Sequence, residues 1–356
     1  MKSTVLASAL FASVSVAWFA SVASADTLIV LNKAEATASL IDPNSGQELA
    51  RLPTGIGPHE VAVAPDGRHA LVSNYGFKEP GNSLTLIDIS QARAVRTFSL
   101  GQYQRPHGIL WLQPDLVAVT AEAQQSLLLL TVSTGNITAI GTGQNISHMV
   151  AVTPTGDRAF VVNIGSGSVS AIDLRERKLL RNIVTGKGAE GIAVTPDGKE
   201  VWISNREANT LTVLDAATLT VRATLSCGNF PIRVQITPDG RYALISNAKS
   251  SELAVFDVAR RKEVRRITFT DAADADQQGR LLGKAFAAGS VPVGILIPPE
   301  GPLAYVAHTN ADKISVVNYL TGSVVKSLTA GKEPDGLGWS MLVVSKKQPG
   351  KTFATP

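Results

Sequence analysis

Short apolar runs separated by turn-forming clusters fill almost the whole chain. In residues 57–88 an apolar run at 61–64 is followed by Pro65-Asp66-Gly67, a second run at 70–73 ends on Asn74, and a third ends on Asp88. Asp-Gly between two such runs marks a hairpin, because glycine takes positive φ without steric cost. The unit recurs, opening at residues 58, 106, 147, 189, 231, 292 and 334. Its turns read Pro65-Asp66-Gly67, Pro114-Asp115, Pro154-Thr155-Gly156, Pro196-Asp197-Gly198, Pro238-Asp239-Gly240 and Pro299-Glu300-Gly301; the seventh unit has none. Four of the six steps are 41 or 42 residues, room for four strands of about five residues with short turns. The unit opening at 189 shows all four, at 192–195, 200–204, 210–215 and 221–226. The first runs of the chain, at 28–32, 38–42 and 48–52, match second, third and fourth strands, and the first strand they lack stands at 336–340. The pattern predicts an all-β fold: a seven-bladed β-propeller of four-stranded blades, closed by N-terminal strands completing the last blade, with no unpaired edge at the seam. Residues 341–345 fit either a further strand or a tail.

The repeated strings carry a resemblance. Second strands read LIVLN, ALVSN, FVVN, VWISN, ALISN and AYVAH, and third strands end in SLIDP, TLIDI, SAIDL, TVLDA and AVFDV. This pattern resembles the YVTN-type β-propeller repeat family of secreted or periplasmic seven-bladed proteins, although the literal YVTN string is absent. The resemblance spans essentially all of the mature chain and implies the fold. For function it implies the company of periplasmic quinoprotein and cytochrome systems. Similar propellers also serve sugar lactonases, muconate-cyclising enzymes and an antibiotic-opening lyase, so one fold carries many activities.

The ends and the charge narrow the setting. An apolar run at 5–22, then Ala23-Ser24-Ala25 before Asp26, predicts a signal peptide over 1–25, cleaved after Ala25. The propeller then occupies 26–345, in the periplasm or outside the cell, and 346–356 reads as a disordered tail. No membrane span is expected after cleavage. The formal net charge of +4 comes from scattered Lys and Arg. It permits an anionic ligand, and the lack of a basic run interleaved with aromatics argues against nucleic acid. The partners expected are a small-molecule ligand or a periplasmic protein, on a monomer. Cys227 is the only cysteine, so no internal disulfide forms. One step is 61 residues long. Its insertion, 268–290, has Leu281, Leu282, Ala285 and Phe286 at helical spacing and is positioned to act as a lid.

Repeat geometry aligns the residues that share one mouth of the central channel. Those following the openings are His59, His107, His148, Glu190, Ile232, Val293 and Asp335. Around the ring, Asp335, His59, His107, His148 and Glu190 form an unbroken ionisable arc, and Ile232 and Val293 face it. His59, His107, His148 and Glu190 suit a divalent metal such as zinc, copper or manganese. His107, His148 and Glu190 equally suit proton transfer near neutral pH. The same mouth receives the ends of second strands, so His308, Asn74 and Asn205 join Asp335 of the arc as ligand-binding candidates, with Glu122 near the equivalent place in the second blade. Against this, Pro-His-Gly is close to the consensus of the family it resembles, so the histidines also suit backbone hydrogen bonding. The asparagines suit turns, and Asp42, Asp88, Asp173, Asp215 and Asp257 suit third-strand ends. Three functions remain open at this level: a binding module for a small ligand or metal, a metal-assisted lyase, lactonase or isomerase, and a non-catalytic protein-interaction scaffold.

Overall fold

A computed structural model describes residues 26–270, 280, 286 and 289–344. It contains seven four-stranded sheets. Six run in simple chain order, opening with the strands Pro58–Val63, Pro106–Gln113, Ser147–Val152, Ala189–Val194, Pro231–Ile236 and Pro292–Leu296, which define blades 1 to 6. In blade 7, Pro334–Ser340 pairs antiparallel with Thr27–Asn32, and Thr37–Ile41 and Glu48–Pro53 follow outward. The closure is therefore the one expected from the sequence. Residues 341–344 form no strand. They run beneath the seam, where the Thr27 hydroxyl donates to the Leu342 carbonyl at 2.6 Å and Val344 joins the core.

Burial follows each strand's place in its sheet. Second strands are sandwiched between neighbouring blades and carry apolar groups on both faces; Glu200–Asn205 is buried throughout. Fourth strands alternate, as in Val221–Ser226. The core is a chain of interblade clusters, such as Phe160, Val162 and Val169 of blade 3 against Ile192, Val201 and Ile203 of blade 4. Aspartates end third strands for a local reason: Asp215 accepts from the Ala217 and Thr218 amides at 2.9 and 2.7 Å. Among the described residues no helix is long and apolar enough to cross a membrane. The expected signal peptide, the tail and all of the helical stretch except Arg280 and Phe286 lie outside the described residues.

Candidate functional site

Three backbone features aim the arc residues at one point. First, each innermost strand loses register just after it opens. Pro58 pairs with Asn74 and the next pair is Val61 with Val72; the same break follows Pro106, Ser147 and Ala189. Each break is a bulge that re-aims the side chains within it, and His59, His107, His148 and Glu190 sit inside these four. Second, the residue preceding each opening has left-handed φ in all seven blades: Gly57, Arg105, Ile146, Gly188, Phe230, Val291 and Glu333. Third, glycine follows the arc position in four blades. A Cβ on Gly108 would lie 2.8 Å from the His148 carbonyl oxygen, and one on Gly336 would lie 2.3 Å from that of His59. The missing side chains let adjacent blades close on the axis.

The result is a cavity of about 540 Å³ lined by all seven arc residues together with Lys33, Tyr75, Arg105, Arg206, Phe230, Arg233 and Phe286. The imidazoles stand in a row, with ring centroids 5.1 Å apart for His59 and His107 and 3.7 Å for His107 and His148. His59 Nδ1 donates to the Gly57 carbonyl at 2.8 Å. His148 Nδ1 donates to Glu122 Oε1 at 2.5 Å, and the Tyr75 hydroxyl donates to Glu122 Oε2 at 2.7 Å. His107 Nδ1 and His148 Nε2 are buried without a hydrogen-bond partner. Glu190 Oε1 lies 3.6 Å from His148 Nε2, and its other oxygen accepts from Arg206 at 2.6 Å. Below the mouth, Arg233 of blade 5 reaches across the channel to Glu60 of blade 1 at 2.6 Å. Lys33 pairs with Asp335 at 3.1 Å.

These contacts separate the protonation of the three histidines. Burial drives His59 down to about 3, with the Lys33 charge acting in the same direction. Burial, then the His148 charge, holds His107 well below the ordinary range. Burial opposes charge on His148 as well, but Glu122 and Glu190 outweigh it and raise this histidine. Burial works against ionised Glu190, yet His148 and Arg206 keep it below the usual carboxylate range. Asp335 is held low against its burial by Lys33 and Arg233. Chemically, the arrangement offers imidazole nitrogens to a cation, or an oriented His148 that can take up and return a proton.

The ionisable arc is brought together as the repeat alignment expected, and Ile232 and Val293 face it with Phe230 and Phe286. Three expected ligand contacts stand back from the cavity. The Asn74 amide donates to Ser83 and Thr85 hydroxyls at 3.0 Å each, and its oxygen accepts from the Gly55 amide. Asn205 donates to Thr210 and Thr212. His308 meets the Ser290 hydroxyl at 2.9 Å and the edge of Phe269. Side chains alternate along a strand, so the residue after each asparagine faces the channel instead. That position holds Lys33, Tyr75, Glu122 and Arg206 in blades 7, 1, 2 and 4. The repeat already places Glu122 near this mouth; the sequence signal for the missed Lys33, Tyr75 and Arg206 is one place beyond the asparagines. Among the described residues, His107, Glu122 and His148 each offer one ligand atom, and these atoms lie within 4.8 Å of one another. His107 and His148 of the expected metal set belong to this group, with Glu122 beside them, and His59 and Glu190 lie outside it.

A closed ring of seven four-stranded sheets with a histidine-rich mouth makes this a seven-bladed propeller with a concave polar site on its axis. The chain belongs to the YNCE-like beta-propeller family, which it matches over residues 2–108 and 108–275. Its fold is similar to that of Kuenenia stuttgartiensis hydrazine synthase, with a TM-score of 0.67 over 82% of this chain and 92% of the other at 17% identity. At that identity the likeness is one of fold. No curated protein matches the sequence.

Proposed function

We propose that the histidine mouth binds a small ligand, in a protein working in the periplasm or outside the cell. One observation carries this reading: His107 and His148 line the cavity, and His107 Nδ1 and His148 Nε2 have no hydrogen-bond partner there. A buried polar atom left without a hydrogen bond costs about 1–3 kcal/mol, and a ligand that supplies the bond recovers it. Concave sites with apolar walls and a few convergent polar groups are the usual form of a ligand pocket. A ligand screen by thermal shift, with and without divalent metals, tests the reading on wild type and on His107→Ala. A ligand that stabilises the wild type should lose most of that effect in the variant. Equal stabilisation of both would place the ligand elsewhere and end this reading.

A second reading is favoured by the His107, Glu122 and His148 cluster. Two imidazoles and a carboxylate suit zinc, copper or manganese, and three protein ligands leave a coordination position for a small molecule. Tyr75, bonded to the other Glu122 oxygen, would fix that carboxylate in place. The metal content of purified protein decides it. One metal per chain, lost in Glu122→Gln, is expected; sub-stoichiometric metal in the wild type removes the cation while leaving the ligand site. The metal-assisted lyase, lactonase or isomerase alternative rests on the same cluster and meets the same first test.

A further inference from the structure

We propose that the ligand of this mouth is a small organic acid, its anionic group held by Arg105 and Arg206 and its apolar body by Phe230, Ile232 and Val293. This deepens the ligand reading above and rests on it.

The cations around the cavity are unequally satisfied. Lys33 is paired with Asp335, and Arg233 with Glu60. Arg206 gives one terminal nitrogen to Glu190, while its Nε is buried without a partner. Arg105 makes no ion pair with a carboxylate among the described residues. Its guanidinium donates to the Phe77 and Lys78 carbonyls at 3.0 and 3.5 Å and lies over the Tyr75 ring at 4.8 Å. A guanidinium with spare donors, fixed on an aromatic face at the rim, suits an entering carboxylate.

The backbone supplies an independent argument. Arg105 has φ 57°, at the place where blades 1 and 4 carry Gly57 and Gly188. Left-handed φ is costly for a residue with a Cβ and free of that cost for glycine. The fold tolerates glycine there in two blades, so folding alone does not call for an arginine. Phe230 holds the same place in blade 5 at φ 62°, under the Arg206 guanidinium at 5.2 Å and the Lys249 ammonium at 4.7 Å. The rim therefore sets cations beside an apolar surface that continues to Ile232 and Val293. A head group of negative charge with an apolar body matches both parts; a bare inorganic anion matches only the first, and an amine with the same body matches only the second and sets a cation against the arginines.

The test is isothermal titration of the full chain with benzoate and 3-phenylpropanoate, their amides, the corresponding amines, and inorganic phosphate. The acids should bind about tenfold or more tightly than the amides, since a charge-assisted hydrogen bond is lost, and the amines should not bind. Arg105→Gly should keep or raise the melting temperature, weaken the acids about tenfold and leave the amides unchanged. Amides binding as well as acids, or acids unaffected by Arg105→Gly, would overturn the organic-acid inference and leave the pocket reading standing. Phosphate binding as tightly as the acids would overturn the apolar body. Failure of every compound to bind would overturn the organic-acid inference, while the pocket reading stands or falls on the thermal-shift screen of wild type and His107→Ala.

Discussion

His59 shows at the scale of one residue how the fold sets chemistry. Burial and Lys33 hold it neutral down to about pH 3, whereas an unfolded histidine takes up its proton near pH 6.5. Between these values the unfolded state binds more protons, so stability contributed by the neutral ring is present above pH 6.5 and is lost as pH falls toward 3. Chemical denaturation of His59→Gln across this window should show a shallower loss of stability than the wild type; parallel curves would place the acid sensitivity in other groups. His148 stands in the same row with the opposite bias, because two carboxylates flank it. Two buried imidazoles of one row are thus biased in opposite directions, because carboxylates outweigh burial at His148 and not at His59.

At the scale of the strand, what matters is which side chain a position does without. Gly336 lies where a Cβ would be 2.3 Å from the His59 carbonyl oxygen, whereas a Cβ on Gly141 would meet nothing within 4 Å. Overpacking of this kind typically costs about 1–3 kcal/mol. Denaturant melts should find Gly336→Ala destabilised by about that amount and Gly141→Ala near neutral; equal effects would show that the inner strands have room to move. The asparagines give the complementary case. Asn74→Ala strands the Ser83 and Thr85 hydroxyls and should cost about 1–3 kcal/mol while leaving the affinity for the site's ligand unchanged. A drop in affinity without a drop in stability would return Asn74 to the site.

Across the whole molecule, Arg233 ties opposite sides of the ring. Its side chain is 6% exposed and meets Glu60 at 2.6 Å, with Glu190 at 3.6 Å and Asp335 at 3.8 Å. The residue following the arc is glycine in blades 2, 4, 6 and 7, and Glu60, Met149 and Arg233 hold that place in blades 1, 3 and 5. The bridge floors the histidine cavity. Removing one partner of such a buried pair leaves a charge without compensation, typically at a cost of about 3–5 kcal/mol. Arg233→Met should lose about that much, and adding Glu60→Gln should restore part of it. Strict additivity in this double-mutant cycle would mean that the two groups do not couple.

The period of the apolar runs, the Pro-Asp-Gly turns and the N-terminal strands without a first partner were enough to define the blades, their number and the closing strand. Repeat alignment also gathered Asp335, His59, His107, His148 and Glu190 at one mouth, because equivalent positions in a closed ring must meet on the axis. The partners of those residues came only with the tertiary structure. Glu122, Tyr75, Arg206 and Lys33 follow the asparagine position by one residue, and whether that place or the asparagine itself faces the channel depends on strand orientation within a closed ring. Arg233 and Glu60 lie 173 residues apart in the chain, and no local pattern connects them. The sequence determined where ionisable groups converge, since repetition is written along the chain; only the packing of seven blades decided which of them pair, which stay neutral and which nitrogens remain without a partner.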